Sequence, residues 1–341
     1  MTTEILSESL DSRYSLPPIE TVHDTPEQIR RKQHRVRELC VERGAILLAH
    51  HYQRPEVQEA ADEVADSLKL SQAAAKTNAK VIVFCGVHFM AETASILCPD
   101  KTVLLPDLRA GCSLASSLSV EELLKWKTQY PEAVVVSYIN TSAAVKAESD
   151  YCCTSANAAK VVRAIPAGRT ILFLPDKFLA SVVARQTQRS NIIPYPGYCH
   201  VHKAIQWDQV AALLELHPDI ELLLHPECGC VSSCMARAID HAALQQRTFF
   251  LSTEGMLRHI ADSPANGFAV GTELGILHQL GRKFPNKTFY PVNPNAVCAF
   301  MKTITLDRII CSLETLSPEV RVPAETARRA RRAIDRMLEL A

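Results

Sequence analysis

Short runs of β-branched and aliphatic residues alternate along this chain with longer stretches whose apolar positions recur at helical spacing. Apolar runs of strand length, bounded by polar or turn residues, read as strands buried on both faces, with amphipathic crossovers between them. The strand-like runs are residues 45–49, 81–85, 102–105, 133–138, 170–174, 191–194, 220–224, 248–251 and 288–291. The clearest helical spacing falls in residues 58–75, 120–126 and 208–216. Strands alternating with helices predict an α/β protein with parallel sheets.

The runs recur in threes. The first of each group ends near Ala49, Tyr138 and Leu224, at intervals of 89 and 86 residues; the second ends near Cys85, Leu174 and Leu251, at 89 and 77. After the third run of each group comes a loop with one cysteine: Cys112, Cys199 and Cys298, spaced by 87 and 99. A period near ninety is too long for a solenoid and fits three copies of one small domain. The expected fold is therefore three pseudo-symmetric, three-layer α/β domains with parallel sheets around a central site. The division is an N-terminal extension (1–34) and domains at 35–112, 113–199 and 200–299, with the C-terminal helical segment 300–341 joining the first. Functional groups collect at the carboxyl ends of parallel strands, so a pseudo-threefold axis would bring the three cysteines together.

Charge narrows the partners. Of 341 residues, 37 are Lys or Arg and 37 Asp or Glu, which argues against nucleic acid or an anionic membrane as the main partner. The first 25 residues lack an apolar leader core, and no apolar run approaches a bilayer span, so the chain reads as cytoplasmic. Near the C-terminus, Arg328, Arg329, Arg331 and Arg332 read as the solvated face of a helix that docks through Ala333, Ile334, Met337 and Leu338.

Twelve cysteines in such a chain point to metal binding or redox chemistry rather than a disulfide framework. Cys40, Cys85, Cys98 and Cys311 read as plain core residues, and the adjacent Cys152 and Cys153 as structural. Cys112 precedes a small-residue helix start, where dipole and free amides favour a thiolate. His50, His51 and Tyr52 end a strand, with Ser67 following in a turn; Tyr138 and Asn140 end another, with Ser155 before a helix. Hydroxyls beside helix-opening amides make an anion cradle, and Ser252 and Thr253 repeat the pattern. His200 and His202 flank Cys199, while His225 and Glu227 form a candidate acid/base pair. Cys112, Cys199 and Cys298 lack the paired C-x-x-C knuckles of closed zinc sites. Three ligands suit a [4Fe–4S] cluster with one iron left open as a Lewis acid for dehydration.

The segments AHHYQRPEVQ, FCGVHFMAET, LLPDLRAGCSLA, YINTSAAVKAESDYCCTSANA, FLPD, PGYCHVH, HPEC, STEGM, GTELG and MKTITL occur in that order. In this series the chain resembles the quinolinate synthase (quinolinate synthetase A) family, from about Ala45 to the C-terminal helix. The resemblance implies condensation of iminoaspartate with dihydroxyacetone phosphate to quinolinate, phosphate and water, in de novo NAD biosynthesis. By motif, Cys112, Cys199 and Cys298 match the [4Fe–4S] ligands. His50, Ser67, Tyr138, Asn140, Ser155, His225, Glu227 and Thr253 match substrate positions, with His200 lining the same pocket. Tyr52, Glu227 and His225 match the proton-moving groups. It further implies an L-aspartate oxidase or aspartate dehydrogenase upstream and dependence on iron–sulfur assembly machinery.

Two departures stand out. His51 replaces a frequent Tyr, and about eleven extra residues bearing Cys228, Cys230 and Cys234 separate HPEC from STEGM, read as a mobile thiol-bearing loop. The rival readings are a zinc-dependent hydrolase or lyase using His225, Cys228, Cys230 and Cys234, and a cluster-bearing redox sensor.

Overall fold

The structure, a computed structural model, describes residues 10–341; residues 1–9, with which the expected N-terminal extension begins, lie outside it. Twelve strands form three sheets. The first holds β1 (Ala45–His50), β2 (Glu63–Ala65), β3 (Val81–Cys85) and β4 (Thr102–Leu104). The second holds β5 (Val134–Tyr138), β6 (Tyr151–Cys153), β7 (Ile171–Leu174) and β8 (Ile192–Pro194). The third holds β9 (Glu221–Leu224), β10 (Thr248–Phe250), β11 (Gly267–Gly271) and β12 (Thr288–Pro291). Their orders are β2-β1-β3-β4, β6-β5-β7-β8 and β10-β9-β11-β12, and every pairing is parallel. One plan is thus used three times.

Central strands such as β3 and β7 are buried throughout, which is why they read as unbroken apolar runs. In each sheet the chain leaves the first strand to one side and returns to the other. The crevice beyond the carboxyl ends of β1/β3, β5/β7 and β9/β11 is the switch point where such sheets bind ligands.

Three strands carry no clear sequence signal: β2, β6 and β11. The first two are edge strands of three residues. The third is central, but its GFAVG sequence reads as a turn because glycine is depleted in strands. Both glycines sit in close packing: a Cβ at Gly271 would lie 2.5 Å from Leu224 Cδ2, and one at Gly267 would lie 2.9 Å from Ile220 Cγ2, so a neighbouring side chain would have to shift. The repeat therefore needs realignment. Residues 248–250 take the edge place of β2 and β6, and Gly271, not Leu251, corresponds to Cys85 and Leu174.

The expected helix over residues 58–75 is two helices, Pro55–Ala60 and Ser67–Lys76, with β2 between them. Asp66 restarts the helix by accepting the Lys69 N–H. The step from β9 to β10 is eleven residues longer than those from β1 to β2 and from β5 to β6. Helix Val231–Asp240 occupies it, and Cys228, Cys230 and Cys234 are buried there, which overturns the mobile loop. Cys40, Cys85 and Cys98 are buried as expected, but Cys311 is exposed on a helix face.

The C-terminal segment divides its contacts. Helix Leu306–Thr315 packs on Pro26–Arg43, and Val320 N–H donates to Val103 O at 2.8 Å, covering the edge of β4. Helix Ala324–Glu339 buries Ala330, Ala333, Ile334 and Met337 against Ala143–Ala147 and β6 of the second unit and His88–Leu97 of the first. Arg329 pairs with Glu148, Arg328 with Glu325 and Arg331 with Asp335, so much of the arginine row is spent within the chain. Among the described residues no helix is long and apolar enough to cross a membrane.

Candidate functional site

A cavity opens where the carboxyl ends of the three sheets converge. From the first unit it receives His50, Tyr52, Ser67 and Cys112. The second supplies Tyr138, Asn140, Ser155 and Cys199, with His200 beside it; the third supplies His225, Glu227, Thr253 and Cys298. The chain thus brings together every site residue expected from sequence. His51 is turned away: it is fully buried, with Nε2 3.0 Å from Glu254 Oε1.

The three thiols sit in equivalent turns. Each follows the fourth strand of its unit and precedes a short helical turn: Ala115–Ser117, His200–Lys203 and Met301–Thr303. The backbone N–H three residues on, of Ala115, His202 and Met301 respectively, favours the thiolate form of each sulfur. Burial pushes the Cys112 thiol up to about 11 and Cys298 to about 12, and Cys199 is raised as well, first by burial and then by Glu227, Cys112 and Cys298. A bound metal would take these thiols as thiolates, and the neighbouring amides favour the same form.

The three thiols are not assembled as a single-ion donor set. Sulfurs around one zinc, bonded at about 2.3 Å, stand about 3.8 Å apart. These three do not all approach within 4.8 Å of one another, although they sense each other electrostatically. Among the described residues, the group with three donor atoms inside 4.8 Å is Cys199, His202 and Glu227. The alternative set of His225, Cys228, Cys230 and Cys234 is not assembled in this way.

A line of polar groups crosses the cavity. The Tyr52 hydroxyl lies 2.5 Å from Thr272 Oγ1, which lies 2.9 Å from His202 Nε2. His202 Nδ1 is 3.1 Å from Glu227 Oε2, and the Tyr138 hydroxyl donates to Glu227 Oε1. Burial alone would favour the neutral Glu227 acid, but the His202 ring and the Tyr138 hydroxyl hold it below the usual carboxylate range. Burial and the Glu227 charge raise both phenols, so Tyr52 and Tyr138 keep their protons. His225 is pushed down to about 3, chiefly by burial, and its Nε2 meets Ser155 Oγ at 3.2 Å. His50 Nδ1 accepts the Tyr52 N–H at 3.2 Å, which leaves Nε2 to carry the proton of its neutral ring.

The opposite wall suits an anion. Ser67 and Thr253 are the first residues of helices capped by Asp66 and Ser252, so free amides and hydroxyls open together. Five cavity-lining side chains also carry buried polar atoms with no hydrogen-bond partner: Asn140 Oδ1, His200 Nε2, His202 Nδ1 (which faces Glu227 Oε2 as an ion-pair contact only), His225 Nδ1 and Thr253 Oγ1. Buried polar atoms are nearly always satisfied, so these await a ligand.

Several site residues escaped the sequence. His202 was visible only as a neighbour of Cys199, yet it bridges Thr272 and Glu227. Thr272, Glu273 and Lys302 lie within the quoted GTELG and MKTITL segments, but nothing in a linear motif says what they face. Phe89 and Met90 form an apolar wall from the FCGVHFMAET segment.

Residues 34–339 match the family model described as quinolinate synthetase A protein. The chain is 54% identical over 297 residues to a quinolinate synthase of Thermus thermophilus, covering 87% of this chain and 93% of the relative. It is 53% identical over 305 residues to one from a Mycobacterium species, covering 89% and 90%. A quinolinate synthase of Pyrobaculum aerophilum is 49% identical over 300 residues, covering 88% and 96%. With a family model spanning nearly its whole length and a threefold site to match, the chain belongs to the quinolinate synthetase A protein family.

Proposed function

We propose that the chain condenses iminoaspartate with dihydroxyacetone phosphate to give quinolinate, with loss of phosphate and water, as a step of NAD biosynthesis. The observation that carries this reading is the convergence of three equivalent thiol turns on one cavity with a buried carboxylate, histidines and phenols. Cys112, Cys199 and Cys298 would hold a [4Fe–4S] cluster. When bound, it supplies a Lewis-acidic iron with an open position for a substrate carboxylate or hydroxyl.

The chain's own groups supply the rest. Ser67, Thr253 and the helix amides behind them hold phosphate or carboxylate, and Asn140, Ser155 and His50 fix orientation. Glu227, kept ionised, takes the proton of enolisation. The path through His202 and Thr272 connects it to Tyr52, which returns a proton to a departing hydroxyl. His225, neutral through burial, donates or accepts without adding charge. Phe89 and Met90 shed water from the ring-closing face. All twelve cysteines are free, which favours a reducing, cytoplasmic setting. Because iminoaspartate hydrolyses readily, an L-aspartate oxidase or aspartate dehydrogenase must supply it, and the iron–sulfur assembly machinery must load the site.

Anaerobic purification with iron, sulfide and zinc assays tests the reading. About four irons per chain, a brown chromophore and quinolinate formation are expected, and Ser at Cys112, Cys199 or Cys298 should remove the chromophore. A full cluster in all three variants would overturn the ligand set. One zinc and no iron would instead favour the Cys199–His202–Glu227 donor group.

A further inference from the structure

The GTELG and MKTITL segments contribute two charges that the chemistry above leaves idle. Glu273 is fully buried and Lys302 nearly so, with Lys302 Nζ 3.0 Å from Glu273 Oε1. The same Oε1 accepts the Cys298 N–H at 3.1 Å, and Oε2 accepts the Gly275 N–H at 2.6 Å. Lys302 Nζ also donates to the Tyr52 carbonyl. Thr272, next to Glu273, holds the Tyr52 hydroxyl. Glycine at 275 is what admits the Tyr52 backbone, since a Cβ there would lie 2.8 Å from Tyr52 Cα. Tyr52 is therefore gripped at both ends by the pair and its neighbours, and the Cys298 turn is tied to the same pair.

A buried ion pair is a poor way to stabilise a fold, because desolvation of both charges offsets their attraction, and an apolar pair would fill the space as well. What the charges provide is position and field. We propose that Glu273 and Lys302 are positioning residues of the site: their hydrogen bonds lock the Cys298 turn to Tyr52, and their opposed charges set the electrostatic potential felt by the third thiolate. This rests on the cluster reading above.

Charge-removing substitutions separate this role from plain structural support. In anaerobically loaded protein, Glu273→Gln keeps an acceptor for the Cys298 amide but leaves the Lys302 cation unbalanced. It should raise the cluster's reduction potential. Lys302→Met leaves the Glu273 anion unbalanced and should lower it. The double variant should return towards wild type, because the opposed charges go together. A structural role alone would change iron content or melting temperature without opposite shifts. Shifts of one sign, or none, at full iron content would overturn the proposal.

Hydrogen–deuterium exchange on cluster-free protein judges the lock independently. Glu273→Ala should speed exchange severalfold in the peptides covering both 50–54 and 295–303, while Glu273→Gln stays near wild type. Loosening of only one segment would refute the coupling. A wild-type protein that takes up no cluster would sink the cluster reading instead, and the exchange measurement would still decide the lock.

Discussion

Tyr138, at the end of β5, donates its phenolic hydrogen to Glu227 just beyond β9, across the boundary between the second and third sheets. The bond makes the carboxylate a product of assembly: neither unit alone provides both its charge and its donor. Charge-assisted hydrogen bonds of this kind contribute about 1.5–3 kcal/mol.

Tyr138→Phe should therefore lower kcat/KM by about 10- to 100-fold if that bond is expressed in the transition state. Loss of the donor also makes Glu227 easier to protonate, so the acid limb of the pH profile should move to higher pH. Glu227→Gln should cost about 10²- to 10⁴-fold, the usual size of a general-base contribution. Steady-state quinolinate formation across pH measures both.

His225 makes stability fall on acidification. Its pKa is held at about 3, chiefly by burial, against 6.5 when unfolded. Between those values the unfolded chain binds a proton that the folded chain refuses. The stability it contributes is complete above about pH 6.5 and is lost as pH falls towards about 3. Chemical denaturation should show a shallower acid decline for His225→Asn than for wild type.

Cys230 and Cys234 are buried on and beside helix Val231–Asp240, outside the lining of the site cavity. Cys230→Ser and Cys234→Ser should each cost about 1–3 kcal/mol, the penalty for burying a hydroxyl without a matched partner. Iron content should stay at the wild-type level, and limited proteolysis should spare this helix.

Gly197 lies two residues before Cys199 and bridges to Asp176. A Cβ there would collide with the Pro175 carbonyl and lie 2.7 Å from Ser117 Oγ. Gly197→Ala should destabilise by about 1–3 kcal/mol through overpacking. Because the displaced loop carries Cys199, iron content should drop below that of Cys230→Ser.

Much of this was legible before any coordinates. The β1, β3, β5 and β7 runs are apolar because parallel strands are covered on both faces, and that signal is local. The single cysteine after each fourth strand exposed the repeat. Illegible were β11, whose glycines answer to Leu224 and Ile220 on and beside the neighbouring strand, and the thiols of Cys228, Cys230 and Cys234, which are buried in the lengthened step from β9 to β10.

The sequence alone determined the α/β class, the threefold repeat and the residues that end each strand, because apolar runs, their period and the motifs are properties of one dimension. Only the tertiary structure decided what those residues become. Glu227 is held ionised by Tyr138 and His202, Tyr52 is fixed through Thr272 and Lys302, and the three thiols face one cavity. Each depends on groups from different units: Tyr138 and Glu227 are 89 positions apart in the chain, and Tyr52 and Thr272 are 220 apart. Distance in the chain carries no charge and excludes no water; burial beside a partner does both.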